Sequence, residues 1–220
     1  MPYWVTMRRY WWLAVSAAAW LALGGCSSAD EPKKLEASKK ALVEKTPDVF
    51  QATFDTSKGP VVVEIHRDWA PVGVDHFYSL AKTGYYDGNR FFRVTRAYVQ
   101  FGVNGNPQTT SLWSTAYLPD DPVKQSNKKG TLTFAHLGAN NRTTQLFFNR
   151  KDNKDLDKSG FAPIGKVVTG MEVVDSLYDS YGDMPPRGQG PDPTKIEAQG
   201  NSYLESHFPR LDFVKKVTIQ

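Results

Sequence analysis

One stretch, residues 90–102, R-F-F-R-V-T-R-A-Y-V-Q-F-G, constrains this chain more than any other. Its density of Phe, Val, Thr and Tyr, placed behind an Asp87-Gly88 turn signal, predicts a β-strand. A buried strand has little room for an arginine directly after two phenylalanines, or for a glutamine among apolar residues. Arg93 and Gln100 are therefore candidates for function. A second stretch, residues 130–149, G-T-L-T-F-A-H-L-G-A-N-N-R-T-T-Q-L-F-F-N, answers the first. It predicts a strand over 131–135, a turn-rich L-G-A-N-N-R, and another strand from Gln145.

Together the two stretches resemble the cyclophilins, peptidyl-prolyl isomerases in which an F-x-R-V-I-x-G-F-x-x-Q-G-G segment and an M-A-N-x-G-x-x-x-x-x-S-Q-F-F segment line one groove. The resemblance runs from about residue 49 to 219. It implies a mainly β fold, a closed eight-stranded antiparallel barrel with two capping helices. It implies catalysis of cis–trans rotation before proline in polypeptide clients, without cofactor or metal. Matched residue by residue, Arg93 and Gln100 are the catalytic pair, and Gln145 orients Arg93. Tyr98, Phe147, Leu156 and Phe161 form the proline pocket, with Val99 beside them. Ala135 and His136 stand where backbone groups pair with an extended peptide.

Three departures qualify the match. The family's glutamine stands eight residues after its arginine, but Gln100 is seven after Arg93, and Phe101 holds the eighth place. Either the loop around residues 95–97 is one residue shorter or the glutamine is lost, because a one-residue slip turns every side chain to the other face. The aromatic–apolar–glutamine order of Tyr98-Val99-Gln100 favours the shorter loop. His136 replaces the usual asparagine and reads as a surface histidine without a titration role. Asp155 stands where cyclosporin-sensitive members carry a tryptophan, which implies weak inhibition by that drug.

The rest of the chain divides into three parts. Arg8-Arg9 followed by an apolar run over 10–23 and Leu23-Gly24-Gly25-Cys26 resembles a bacterial lipoprotein signal (residues 1–25), with Cys26 lipidated. Met7 is an alternative start. Residues 26–48 read as a lipidated cysteine and solvated tether, and 49–220 as the isomerase domain. The expected location is the bacterial cell envelope, anchored through lipid and facing the periplasm or exterior. A single cysteine excludes an internal disulfide, so the fold must stand on its core. The pI near 9.0 suggests nucleic acid, but losing residues 1–25 removes Arg8 and Arg9 and no acid, which lowers the net charge from +4 to +2. No basic run interleaved with aromatics tracks a phosphate backbone, so nucleic-acid binding is not expected, and a monomer is.

Within the domain, two β-rich runs around Lys58-Gly59 predict a hairpin. Pro71 to Gly84, with Val74, Phe77, Leu80 and Ala81 at helical spacing, predicts a helix carrying a structural His76. Trp113, in a loop-rich stretch, is expected to pack over the barrel. Residues 151–160 superficially resemble a calcium loop, but Lys166 would fall at its twelfth position, so no metal is expected there. Thr169-Gly-Met-Glu172 is a capping-box pattern for a second helix, residues 182–193 a surface loop, and residues 211–219 the closing strand.

Overall fold

The computed structural model describes residues 45–220; the signal, Cys26 and most of the tether lie outside the described residues. Eight strands form one sheet: β1 Val49–Thr56, β2 Gly59–His66, β3 Arg93–Val94, β4 Tyr98–Phe101, β5 Thr131–Phe134, β6 Leu146–Asn149, β7 Pro163–Thr169 and β8 Val214–Ile219. Every pairing is antiparallel, in the order β3-β4-β6-β5-β7-β2-β1-β8. The period-two alternation is visible in β1, where Phe50, Ala52 and Phe54 are buried while Gln51 and Asp55 are exposed.

The sheet curls into a half-barrel and does not close, in contrast to the expectation. Its edges are β3, only two residues long, and β8, and they share no ladder. The gap is crossed by irregular backbone: Gly88 N–H donates to Val214 O (2.8 Å), Val214 N–H to Asn89 O (2.9 Å) and Phe91 N–H to Asp212 O (2.9 Å). The core inside the curl is aromatic, with Phe54 edge-on to both Phe101 and Phe148 at 5.8 and 5.6 Å.

Helix α1, Pro71–Lys82, closes one end of this core with Val74, Phe77 and Leu80, as its spacing requires. His76 is packed against Trp113 and Phe134, and burial drives its pKa down to about 4, so it is a neutral core residue at pH 7. Trp113 ends α2, Pro107–Trp113, whose N-cap Asn106 accepts from the amides of Gln108 and Thr109. The short α3, Met171–Asp175, starts where expected but without the capping box. Thr169 is still in β7, and the cap is Gly170 at φ 89°, where a Cβ would lie 2.3 Å from Pro60 O.

Three helices depart from the two-helix expectation: α2, in the stretch read as loop-rich, and two more, α4, Pro193–Gln199, and α5, Asn201–His207. The last two bury Ile196, Tyr203 and Leu204 in a second, smaller core with Phe92, Val103 and Leu211. The adjacent pair Phe91 and Phe92 therefore serves two cores, one residue facing into the curl and the next facing out. Among the described residues no helix is long and apolar enough to cross a membrane.

Candidate active site

The turn between β3 and β4 sets the geometry. Thr95 Oγ1 accepts from the amides of Ala97 (3.2 Å) and Tyr98 (3.1 Å), which tightens the turn. Arg93 then pairs with Gln100 and Val94 with Val99. This register decides the question left open by the spacing: Gln100 shares the groove face with Arg93, and Phe101 is buried in the core. It also corrects one assignment. Val99 is fully buried in the core, and both of its backbone edges face neighbouring strands, because alternation turns it away from Tyr98 and Gln100.

The groove, about 620 Å³, is lined by Arg93, Tyr98, Gln100, Ala135, His136, Gln145, Phe147, Leu156 and Phe161 among others. Its apolar end is a chain of rings: Tyr98 lies 5.7 Å from Phe147, Phe147 sits edge-on 5.8 Å from Phe161, and Phe161 stacks on His136 at 3.9 Å. Leu156 and Phe161 arrive from a 3₁₀ turn, Lys154–Ser159, and the residues after it. Asp157 in that turn accepts from Ser126 Oγ (2.6 Å) and from the amide and side chain of Asn127 (both 2.8 Å), so its carboxylate fastens the loop.

At the polar end, Arg93 Nη1 donates to Gln100 Oε1 at 3.0 Å, and Gln100 Nε2 donates to Gln145 Oε1 at 2.9 Å. Gln145 is therefore linked to Arg93 through Gln100. Gly102, at φ 105°, makes this relay possible: a Cβ there would lie 2.5 Å from Thr144 O and 2.7 Å from Gln145 Cα. The Arg93 guanidinium carbon lies 4.7 Å from the Tyr98 ring centroid, and its side chain is 13% exposed.

Ala135 and His136 border the groove, but the Ala135 N–H is already bound to Gln145 O (2.9 Å). Among the described residues no hydrogen bond engages the Ala135 carbonyl or the His136 amide. His136 is partly buried against Phe161, and that burial pushes its imidazole below the usual pKa, with nearby Arg142 acting the same way and Asp120 opposing.

The far wall was not read from the sequence. Asp183 Oδ1 accepts from Arg93 Nε at 2.6 Å, and Met184, Thr194 and Glu197 line the groove beside it. Burial alone raises the Glu197 carboxyl above its usual value. Asp192-Pro193, with Asp192 Oδ1 accepting from Thr194 N–H, is a helix-start signal that points to α4. Nothing local points to Asp183.

Comparison with known proteins bears on this groove. Residues 51–198 match the family described as cyclophilin type peptidyl-prolyl cis-trans isomerase/CLD. A peptidyl-prolyl cis-trans isomerase of Acinetobacter baylyi is 32% identical over 133 residues, 56% of this chain and 68% of that protein. A peptidyl-prolyl cis-trans isomerase-like 2 of Gibberella zeae is equally identical over 133 residues, but the match spans only 22% of its length. Among solved structures, a cyclophilin type peptidyl-prolyl cis-trans isomerase of Cryptosporidium parvum superposes with TM-score 0.58 at 18% identity. That match covers 78% of this chain and 98% of the other, a likeness of fold.

Proposed function

Because the chain belongs to the cyclophilin-type peptidyl-prolyl cis-trans isomerase family, we propose that it accelerates rotation of X–Pro bonds in polypeptide clients within this groove. Rotation must pass a twisted amide without resonance, behind a barrier of about 18–20 kcal/mol. Uncatalysed, it takes on the order of tens to hundreds of seconds. In the twisted state the proline nitrogen becomes pyramidal and gains a free lone pair. A positioned guanidinium N–H stabilises that lone pair, most strongly where water is sparse.

The observation that carries this reading is the placement of Arg93. Its Nε and Nη1 are engaged by Asp183 and Gln100, while Nη2 has no hydrogen-bonding partner among the described residues, and the side chain lines the groove. The rings of Tyr98, Phe147 and Phe161, with Leu156, suit a prolyl ring; Ala135 O and the His136 amide suit the adjoining peptide. No nucleophile or proton relay is required. The alternative is a proline-peptide-binding or chaperone module with weak or no isomerase activity because the glutamine or the loop is out of place; the pairing of Arg93 with Gln100 speaks against a displaced glutamine. Following isomerisation of a short Ala-Pro peptide by NMR exchange tests the reading. Acceleration at catalytic protein concentration is expected; binding without acceleration would overturn it.

The same proposal extends to location. Cys26 after Leu23-Gly24-Gly25 is read as the lipid anchor, and the stretch after it as a tether holding the domain off a bacterial envelope membrane. Several acyl chains on one residue would give stable attachment. Cys26→Ser is expected to abolish metabolic labelling with fatty acid and release the protein; labelling that survives would exclude the anchor.

A further inference from the structure

The geometry points to Asp183 as a positioning residue for the isomerase chemistry: it clamps Arg93 from outside the sheet so that Nη2 faces the groove. This rests on the function proposed above and adds a residue to it. A guanidinium on a strand only two residues long, at the sheet's edge, has otherwise the face of the Tyr98 ring and one glutamine to hold it. Gln100 holds one N–H, at Nη1, and a single hydrogen bond leaves the planar group free to swing about that contact. The 2.6 Å bond from Nε to Asp183 Oδ1 adds a second point on another edge of the plane, which fixes the orientation of Nη2.

Asp183 is itself held on three sides. Its Oδ1 also accepts from Met184 N–H at 2.7 Å. Its carbonyl accepts from Gly190 N–H at 2.9 Å, so the loop folds back on the residue. Its neighbours Met184 and Tyr181 pack against the second core, together with Phe208. That core is attached to the sheet through Phe92, the residue immediately before Arg93. Arginine and aspartate are therefore joined through this packing although ninety residues separate them. The arrangement is what preorganisation of a donor requires: the orienting contacts are complete before substrate arrives.

The test compares Asp183→Ala and Asp183→Asn, reading the bound-state exchange rate and the peptide Kd separately by NMR with the same Ala-Pro peptide. Asparagine keeps an acceptor oxygen towards Nε, whereas alanine does not. Asp183→Ala is expected to slow catalysed exchange about tenfold with Kd within about twofold, and Asp183→Asn to recover most of the rate. In an Arg93→Lys background, where no Nε donor of this geometry exists, Asp183→Ala is expected to have no further effect. Undiminished exchange in Asp183→Ala would overturn the assignment. So would equal loss in both variants with weakened peptide binding, which would mark a merely structural loop. Losses that multiply in the Arg93→Lys background would do the same. A wild-type protein that does not accelerate exchange overturns the proposed function itself, whereas a failure confined to Asp183 leaves that function standing.

Discussion

The two walls of the groove are built by different means. One comes from adjacent strands: Tyr98 and Gln100 on β4 and Phe147 on β6 share a face because alternate residues must. The other, with Asp183, Met184 and Glu197, comes from a Gly/Pro-rich loop and a seven-residue helix, held by a small separate core. The first wall is fixed by ladder hydrogen bonds and shares its strands with the main aromatic core. The second is fixed by side-chain packing, by loop hydrogen bonds such as Asn201 N–H to Gly105 O (2.9 Å), and by the ion pairs Arg93–Asp183 and Arg90–Glu205. The proposed proline pocket thus sits on the strand-built side, and the contact proposed to aim the arginine comes from the loop-built side, the one more easily loosened.

Substitutions on each side sharpen this contrast. Phe147→Ala removes the ring between Tyr98 and Phe161 and is expected to lower kcat/KM for a prolyl peptide on the order of 10²-fold, from roughly 3 kcal/mol of lost contact. Ile196→Ala, in the second core, is expected to destabilise by about 2–5 kcal/mol, yet to lower kcat/KM no more than Asp183→Ala does. Thermal unfolding paired with peptide kinetics checks both. A larger kinetic loss from Ile196→Ala would break the division between the walls.

A smaller effect is expected at the 3₁₀ turn beside the pocket. Asp155 is exposed and offers neither an N–H donor nor an apolar face to a macrocycle. Cyclosporin should inhibit the protein poorly, and Asp155→Trp should improve inhibition roughly tenfold, the worth of about one hydrogen bond with its packing. Titrating the drug against both proteins measures this. Tight inhibition of the unmodified chain would mean that the pocket assignment around Leu156 is wrong.

The smallest effect expected is on pH dependence. His136 titrates below the ordinary imidazole value of about 6.5 because it is buried against Phe161, so it is neutral at pH 7 and charges only as pH falls. Protonation would put a cation beside the apolar end, facing Arg142 and Asp120, with Arg93, Asp183 and Glu197 farther along the groove. KM should rise a few-fold on acidification, and His136→Asn should remove the step. Glu197, whose carboxyl is raised by burial, also gains its proton as pH falls, so Glu197→Gln serves as the control. A step that survives His136→Asn and disappears in Glu197→Gln would assign it to the far wall.

How much of this was legible follows from the same contrast. The strand wall could be read from residues 90–102 and 130–149, because burial on one face imprints alternation on the sequence. Spacing alone left Gln100 and Phe101 both open, since either loop length suits a strand pair; the Thr95 turn decides between them. Val99 was misplaced by treating neighbours in a motif as neighbours in space. Closure of the barrel was assumed for the fold, but β3 is too short to pair with β8. The helices of the far wall carried one local signal, at Asp192-Pro193, whereas Asp183 carried none, its meaning being a contact across ninety residues.

The central claim is that Arg93, fixed and desolvated beside an apolar pocket, supplies the stabilisation of the twisted amide. The most direct test is catalysed exchange of an X–Pro peptide by Arg93→Ala, with circular dichroism and thermal unfolding of the same sample. The account predicts a loss on the order of 10²-fold or more in kcat/KM with the fold retained, because the guanidinium lines the groove and not the core. Unchanged catalysis by a folded Arg93→Ala protein would contradict it.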